Sequence, residues 1–534
     1  MTLASRIVER AWRLPPARTR AIWVERNVRV PMQDGVTLLA DRYVAHDQEP
    51  VVLVRTPYRR RVFSLLARLF AERGYQVVVQ NTRGTFGSGG TFDAFRDEQR
   101  DGLATLDWLA QQPWFGGSAA MCGPSYLGLT QWAVAAGAPA WLQALAIQVS
   151  GSSFHELLYP GGTFGLNGAL TWTALMQFQE QPWPMLLAQL VRTQFTLPRG
   201  FNTLPLREAD QHAVGTHVPY FQDWLQHTAA DDPFWQVIDY SRTLADVSTP
   251  VNLVAGWHDI FLGRQLADYI ALRAVGHQPY LTVGPWVHRS SGMLGAGMRE
   301  SLAWFDAYVR GDTRRLRQQP VRIYVMGTNH WLDLPDWPPA AETVEWYPGP
   351  GGRLSAEPAP DSQPDEYLYD PRHPTPAVGG PLLAARRYIY DNRKLDARPD
   401  VLTYTSAALD RDLVLIGAME VELHVSSSRP SADFFARLCD VEPSGRSLNV
   451  TDGVVRLTPP EWPTCVRIQL SPTAYCVRRG HRVRLQISSG AFPRLSRNTG
   501  STEALGEAAT LHAAHQQVWH DPAHPSLVRL GHMR

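Results

Sequence analysis

Short apolar runs alternate with stretches of helical spacing over the first 150 residues. Residues 24–43 alternate apolar and polar positions around Gln33-Asp34-Gly35, which predicts a β-hairpin. Apolar runs of strand length follow at 50–58, 76–80, 118–122 and 142–149, with helical spacing between them at 63–73, 97–112 and 129–136. Buried parallel strands are apolar throughout and need crossover helices, so this alternation predicts a mostly parallel, doubly wound α/β sheet.

The strand pattern then stops for some 90 residues. Residues 154–239 are rich in Trp, Phe, Pro and Leu with helical spacing and no convincing strand, which predicts a helical insertion. The strand pattern resumes at 250–259 and 279–288, and residues 263–275 have the spacing of the crossover helix that a parallel pair requires.

Beyond about residue 348 the chain changes to Pro/Gly-rich turns and short alternating strands, such as 421–425 and 482–487, which predict a β-sandwich. The predicted domains are therefore an α/β domain at 1–150 and 241–347, a helical cap at 151–240 and a sandwich at 348–534. Residues 1–24 resemble an amphipathic helix followed by two prolines, and no role is assigned to them.

Composition excludes several classes of function. The formal net charge is +1, which gives no broad electrostatic reason to bind nucleic acid or an anionic membrane. The N-terminus lacks a signal-peptide core and no segment has about 18 uncharged apolar residues, so a cytoplasmic protein is expected. The four cysteines contain no C-x-x-C pair, which predicts buried free thiols and neither a zinc site nor a disulfide framework.

The main chemical signal is Met121-Cys-Gly-Pro-Ser-Tyr-Leu-Gly128, where an apolar strand leads directly into a helix with Ser125 at the junction. In a nucleophile elbow this turn exposes the serine oxygen, small neighbours such as Gly123 and Gly128 let chain segments meet, and the next N–H, here of Tyr126, faces the oxyanion. The second glycine comes one residue later than in G-x-S-x-G. A Gly-rich turn with an incidental serine is therefore the alternative.

An acid and a histidine follow Ser125 in the order that α/β-hydrolases use. Asp259 and His288 each come just after a predicted strand, so all three side chains are expected at the carboxyl edge of one sheet. His258 is the rival base. His288 is preferred because it ends the rigid segment G-P-W-V-H, and Asp259 because an unpaired carboxylate beside Trp257 would be costly.

With this site the sequence resembles the X-Pro dipeptidyl-peptidase-like serine hydrolases, the family of bacterial cocaine esterase and the α-amino acid ester hydrolases. The resemblance is collinear over nearly the whole chain. Its motifs are R-T-P-Y at 55–58, N-T-R-G at 81–84, G-P-S-Y-L-G at 123–128, G-W-H-D-I-F at 256–261, G-P-W-V-H at 284–288, F-D-A-Y-V-R-G at 305–311, V-M-G-T-N-H-W at 325–331 and V-S-S-S-R-P-S-A-D-F at 425–434.

The resemblance implies an α/β-hydrolase domain with a helical cap and a C-terminal jelly roll. It also implies that the Tyr58 hydroxyl forms the oxyanion hole with the Tyr126 N–H, and that Trp172 and Phe261 line the acyl pocket. From the residues alone, Tyr58 is a turn aromatic after Pro57, and Trp172 and Phe261 are equally consistent with core packing.

The chain also departs from the family pattern. The cap segment 155–162 is shortened, and Leu158 or Tyr159 takes the place of a second pocket tryptophan, which puts an aromatic acyl preference in doubt. Asn81 stands where the family usually has Asp before T-R-G.

The favoured function is a serine esterase that acts on a small-molecule ester through an acyl-enzyme on Ser125, with no metal or organic cofactor. The first alternative is an X-Pro dipeptidyl peptidase or α-amino acid ester hydrolase, whose substrate ammonium would need carboxylates such as Glu156 or Glu180 in the pocket. The second is a non-catalytic binding protein on a hydrolase scaffold. No nucleic-acid or membrane partner is expected, and a homo-oligomer is left open.

Overall fold

The computed structural model describes residues 2–384, 387–459 and 461–533. Ten strands form one sheet in the order β1-β2-β4-β3-β5-β6-β7-β8-β9-β10. Their bounds are β1 Trp23–Pro31, β2 Thr37–Val44, β3 Val51–Thr56, β4 Gln76–Asn81, β5 Ala119–Pro124, β6 Leu142–Gln148, β7 Val251–Gly256, β8 Tyr280–Gly284, β9 Val321–Val325 and β10 His330–Leu334.

The strands from β4 to β9 pair in parallel, whereas the outer pairs β1–β2, β2–β4 and β9–β10 are antiparallel. Every residue of β3, β4 and β7 is buried, because helices cover both faces of the sheet. The predicted doubly wound α/β sheet is confirmed, and its hairpin is β1–β2.

Helices connect the parallel strands and cover the sheet, and further helices form the insertion and one short segment of the C-terminal region. They are α1 Thr2–Ala11, α2 Ser64–Ala71, α3 Glu98–Ala110, α4 Tyr126–Ala135, α5 His155–Leu158, α6 Leu166–Phe178, α7 Trp183–Asn202, α8 Ala209–Val214, α9 Pro219–Gln226, α10 Pro233–Gln236, α11 Leu262–Ala274, α12 Ser291–Arg310 and α13 Arg393–Asp396. Helices α5 to α10 lie between β6 and β7 in the chain and form the predicted helical insertion.

The C-terminal region is a β-sandwich whose strands are almost all antiparallel. They are β11 Glu342–Gly349, β12 Arg353–Ser355, β13 Asp365–Tyr369, β14 Leu402–Thr405, β15 Leu413–Ser427, β16 Ala432–Val441, β17 Ser447–Leu457, β18 Thr464–Val477, β19 Arg482–Ser488, β20 Ala514–Trp519 and β21 Leu527–Met533.

The expectation of short alternating strands is wrong for part of the sandwich. Strand β15 has 15 residues, with a bulge between Gly417 and Met419, and all ten residues of β16 are buried. The predicted boundary at residue 348 also falls inside β11, which pairs with β21 of the sandwich.

Two further findings concern membrane-spanning helices and the cysteines. Among the described residues, no helix is long and apolar enough to cross a membrane. Three of the four cysteines are buried free thiols, but Cys465 is exposed, so the expectation of burial is wrong there.

Candidate active site

Ser125 lies at the junction of β5 and α4 with φ 60° and ψ −125°, a left-handed backbone that a residue with a side chain rarely adopts. Its N–H donates to the Gln148 carbonyl oxygen at 2.9 Å. Gly123 and Gly128 are sterically required, because a Cβ atom on either would lie 2.4 Å from the Cβ of Leu127 or Ser150. The strand-to-helix turn therefore has the geometry of a nucleophile elbow, despite the late second glycine.

The structure brings Ser125, Asp259 and His288 together at the carboxyl edge of the sheet. Nε2 of His288 lies 3.0 Å from Oγ of Ser125, and Nδ1 lies 2.6 Å from Oδ2 of Asp259. The other oxygen of Asp259 accepts the Phe261 N–H at 2.8 Å, so the carboxylate is held on both sides. A serine with its base and a buried acid in this order is suited to acyl transfer.

His258 lies in a different environment from His288. Its ring stacks on Tyr388 of the C-terminal region at 4.0 Å between centroids. Burial lowers the pKa of His258 to about 3, so the ring is neutral at physiological pH. Of the two candidate bases, His288 is the one hydrogen-bonded to Ser125.

The Tyr58 hydroxyl accepts a hydrogen bond from the Trp172 indole N–H at 3.1 Å. Burial raises the pKa of Tyr58, while the Trp172 hydrogen bond and the charge of Arg289 oppose the shift, so the phenol stays protonated. Because its oxygen accepts from Trp172, the hydroxyl proton of Tyr58 can be donated to a substrate oxygen.

Asn81 holds the turn that contains Tyr58. Its side-chain amide donates to the Tyr58 carbonyl at 2.7 Å and to the Thr56 carbonyl at 3.0 Å, and its oxygen accepts from Arg60 at 2.5 Å. An aspartate, which has no donor when ionised, could not make the first two bonds. The departure from the family pattern at this position therefore has a local structural role.

Tyr126 is the first residue of α4, so its N–H is one of the amides that have no acceptor within the helix. Its hydroxyl donates to Glu98 at 2.8 Å and accepts the Phe95 N–H at 3.1 Å, and Glu98 forms a buried ion pair with Arg55 at 2.9 Å. This network fixes the side chain of Tyr126. It was not predictable from the sequence, because nothing in the local spacing connects Glu98 with Tyr126.

A cavity of about 300 Å³ opens beside Ser125. Both predicted pocket aromatics, Trp172 and Phe261, line it. Leu158 also lines it, whereas Tyr159 instead donates its hydroxyl to the Trp224 carbonyl. Further lining residues that were not predicted are Phe95 of the α/β domain, Phe154 and Trp224 of the cap region, and Leu382, Leu383 and Arg494 of the sandwich.

The carboxylates that line this cavity among the described residues are already paired. Asp259 is bonded to His288, buried Asp452 is paired with Arg437 and Arg494 at 3.0 and 2.7 Å, and Glu156 is paired with Arg264 at 2.9 Å. Glu180 lines a second cavity of about 440 Å³ and accepts the Phe86 N–H. No described carboxylate is therefore left unpaired in the Ser125 cavity to hold a substrate ammonium.

Comparisons with known proteins agree with this architecture. Residues 34–290 match the family model of the X-Pro dipeptidyl-peptidase (S15 family), and residues 316–529 match that of the X-Pro dipeptidyl-peptidase C-terminal non-catalytic domain. Cocaine esterase from Rhodococcus sp. (strain MB1 Bresler) is 33% identical, over 95% of this chain and 98% of the relative.

Two solved structures are similar in fold. An α-amino acid ester hydrolase superposes with a TM-score of 0.82 at 24% identity, covering 97% of this chain and 98% of the other. An aminopeptidase from the marine sediment archaeon Thaumarchaeota archaeon superposes with a TM-score of 0.81 at 23% identity, with the same coverage of 97% and 98%.

Proposed function

The chain belongs to the X-Pro dipeptidyl-peptidase (S15) family of serine hydrolases, and we propose that it is a carboxylesterase in which Ser125, His288 and Asp259 perform the chemistry. The observation that carries the proposal is the pair of contacts of His288, 3.0 Å to the Ser125 oxygen and 2.6 Å to Asp259, beside an apolar cavity that Ser125 and Asp259 line.

In acylation, the Ser125 oxygen attacks the ester carbonyl while His288 Nε2 accepts its proton. Asp259 accepts the hydrogen bond from Nδ1, which fixes the tautomer and stabilises the imidazolium. The Tyr58 hydroxyl and the Tyr126 N–H donate to the oxyanion of the tetrahedral intermediate. When the intermediate collapses, the C–O bond breaks and His288 returns the proton to the leaving alcohol.

In deacylation, His288 takes a proton from water, and the resulting hydroxide attacks the acyl carbonyl. The same two donors hold the second oxyanion, and the proton then returns to Ser125 as the acid leaves. Each step needs only a proton acceptor, an orienting carboxylate and oxyanion donors, so the residues named suffice for ester hydrolysis.

Pairing of the cavity carboxylates favours an ester with an uncharged acyl group over a substrate with a free amino terminus. Glu156 is the least tightly held of these carboxylates, because its side chain is 56% exposed and its partner Arg264 also binds Asp268. An unpaired buried ammonium would cost several kcal/mol, so a peptidase of this family type would need a carboxylate that is free to bind it.

We expect turnover of p-nitrophenyl butyrate to exceed that of Ala-Pro-p-nitroanilide by at least a hundredfold in kcat/KM, measured side by side at pH 8. The reason is that the ammonium of the anilide would be buried in the cavity without a carboxylate partner. An unpaired buried polar group discriminates strongly between substrates. Comparable turnover of the anilide, lost in Glu156→Gln but not in Glu180→Gln, would instead establish the amino-terminal substrate class.

Removing the Tyr58 hydroxyl tests the oxyanion donors. We expect Tyr58→Phe to lower kcat about 100- to 1000-fold with little change in KM, because the donor acts on charge that develops in the transition state. Trp172→Phe keeps an aromatic wall but removes the N–H that orients Tyr58, and should lower kcat to a smaller extent. A raised KM with an unchanged kcat in Tyr58→Phe would mean that this phenol only binds the substrate.

Trp172→Ala should in addition change the preference among p-nitrophenyl acetate, butyrate and benzoate. A methylene in an apolar pocket discriminates by about 1–3 kcal/mol, so the change should be modest. Equal losses on all three esters would leave Trp172 as a positioning residue for Tyr58 only.

For the domains we propose a catalytic unit at 1–150 with 241 to about 341, a cap at 151–240 and a sandwich from β11 onward. Sheet membership supports this division, since β10 ends at Leu334 and β11 pairs within the second sheet.

A further inference from the structure

A second group of chemically reactive side chains lies on the outer face of the sandwich. Glu422 and His424 are two residues apart on β15, and Cys465 of β18 pairs directly with His424 across the sheet. The alternate residues Val421, Leu423 and Val425 are fully buried, so Glu422 and His424 face the opposite side. Among the described residues, these three form the one group whose potential ligand atoms all lie within 4.8 Å of one another.

Each side chain of this group keeps a possible ligand atom that no other described side chain uses. Both guanidinium hydrogen bonds to Glu422, from Arg467 at 3.1 Å and Arg529 at 3.0 Å, end on Oε2, so neither occupies Oε1. The ring nitrogens of His424 and the sulfur of Cys465 form no hydrogen bond with any residue that the structure describes. Thiolate, imidazole and carboxylate are the donors that bind Zn²⁺ in proteins.

A fourth donor lies beside His424. The ring of His524, in the turn between β20 and β21, is 5.6 Å from the ring of His424 between centroids. Its Nδ1 lies 3.1 Å from the Asp521 carboxylate, which favours the tautomer that presents a bare Nε2. The Ser526 hydroxyl accepts a hydrogen bond from the backbone N–H of His424 at 2.9 Å and holds this turn against β15.

The surrounding charge suits a divalent cation. Arg529 is shared by Glu345, Glu420 and Glu422 at 2.9–3.0 Å, and Arg467 pairs with Glu422. With Asp521, which lies beside His524, the four carboxylates and two guanidiniums leave a net charge of −2. A thiolate at Cys465 makes the net charge −3, so a doubly charged ion reduces the excess of negative charge.

We propose that Glu422, His424, Cys465 and His524 form a site for a divalent transition metal ion of the Zn²⁺ class. Ligands around tetrahedral zinc lie about 3.3–3.8 Å apart, so a closing movement of about 1 Å brings Glu422, His424 and Cys465 to coordination distance. His524 lies outside that 4.8 Å group and reaches the ion through a larger movement of the turn between β20 and β21. On binding, the Cys465 thiol releases its proton to solvent and the thiolate coordinates the metal. The ion would join β15, β18 and the turn between β20 and β21.

Titration of the tag-free, metal-stripped full-length protein with Co²⁺ tests this site. We expect a near-ultraviolet thiolate-to-cobalt charge-transfer band that saturates at one ion per chain, is displaced by Zn²⁺ and is absent in Cys465→Ser. The other three cysteines remain in that variant and are buried, so they serve as internal controls. Zinc should also raise the Tm of the wild type but not of Cys465→Ser.

Affinity for Zn²⁺, measured by competition with a chromophoric chelator, should fall at least tenfold in His424→Ala. In Asp521→Asn we expect a fall of about 10- to 100-fold, because this carboxylate orients a ligand. The exposed His515→Ala on β20 is the control and should bind as the wild type does. Unchanged affinity in Asp521→Asn would exclude His524 and overturn the four-ligand site.

A missing charge-transfer band, or one that persists in Cys465→Ser, would overturn the proposal. Zinc binding that Cys465→Ser leaves intact would assign the ion elsewhere, for example to His288. The test is independent of the esterase proposal, because it depends on spectroscopy and affinity, and esterase turnover after treatment with a chelator should be unchanged.

Discussion

Replacing Ser125 with alanine should lower kcat for p-nitrophenyl butyrate on the order of a million-fold, to near the background rate. The reason is that no other hydroxyl is hydrogen-bonded to the Nε2 of His288 among the residues that the structure describes. Hydrolysis in steady state and covalent labelling by a fluorophosphonate probe are the two measurements. Both should be lost together, because both need the same nucleophile.

The control for this experiment is Ser444→Ala, which changes an exposed turn serine and should retain full activity and labelling.

The elbow geometry gives a second test, because Ser125 has φ 60°. Ser125→Gly should be as inactive as the alanine variant but no less stable, since glycine adopts this backbone without strain. Probe labelling of another residue in Ser125→Ala would contradict the assignment of the nucleophile.

Replacing His288 with alanine should cost about as much as the loss of Ser125, because the members of a triad act as one unit. The double variant of Ser125 and His288 should then lose little more than either single variant. Added imidazole should restore part of the activity of His288→Ala but none of Ser125→Ala. Turnover at several imidazole concentrations measures this rescue.

His258→Asn is the matched control for the base. His258 is also buried and lies next to Asp259, but its ring stacks on Tyr388 and forms no hydrogen bond with Ser125. We expect kcat to change only a few-fold, with lower stability because the contact with the C-terminal region is weakened. A large loss of kcat in His258→Asn, with activity retained in His288→Ala, would reverse the assignment of the base.

Much of the fold was predictable because burial is periodic along the chain. The short, largely apolar runs that became β3, β4 and β7 are typical of strands covered on both faces, and helical spacing between them indicated crossover connections. The order Ser125, Asp259, His288 was informative for the same reason. Parallel strands end at one edge of a sheet, so residues that follow them converge whatever their separation in the chain.

The sequence favoured His288 over His258 only through the turn chemistry of G-P-W-V-H, because each histidine follows a buried strand. The choice depends on how the segment after each strand turns, and only the packed structure orients one ring toward Ser125 and the other toward Tyr388. The same holds for Asn81. That its side-chain amide donates two hydrogen bonds is known only from the folded structure, in which the Tyr58 and Thr56 carbonyls lie next to it.

The sequence by itself determined the α/β class, the helical insertion and the likeness of the elbow to a hydrolase, since each of these depends on local periodicity or on chain order. The tertiary structure decided which distant groups meet. The register of β15 against β18 places His424 directly opposite Cys465. The packing of α3 on α4 brings Glu98 into hydrogen-bonding distance of Tyr126. Such contacts depend on the free energy of the whole packed core, and no short stretch of sequence contains that information.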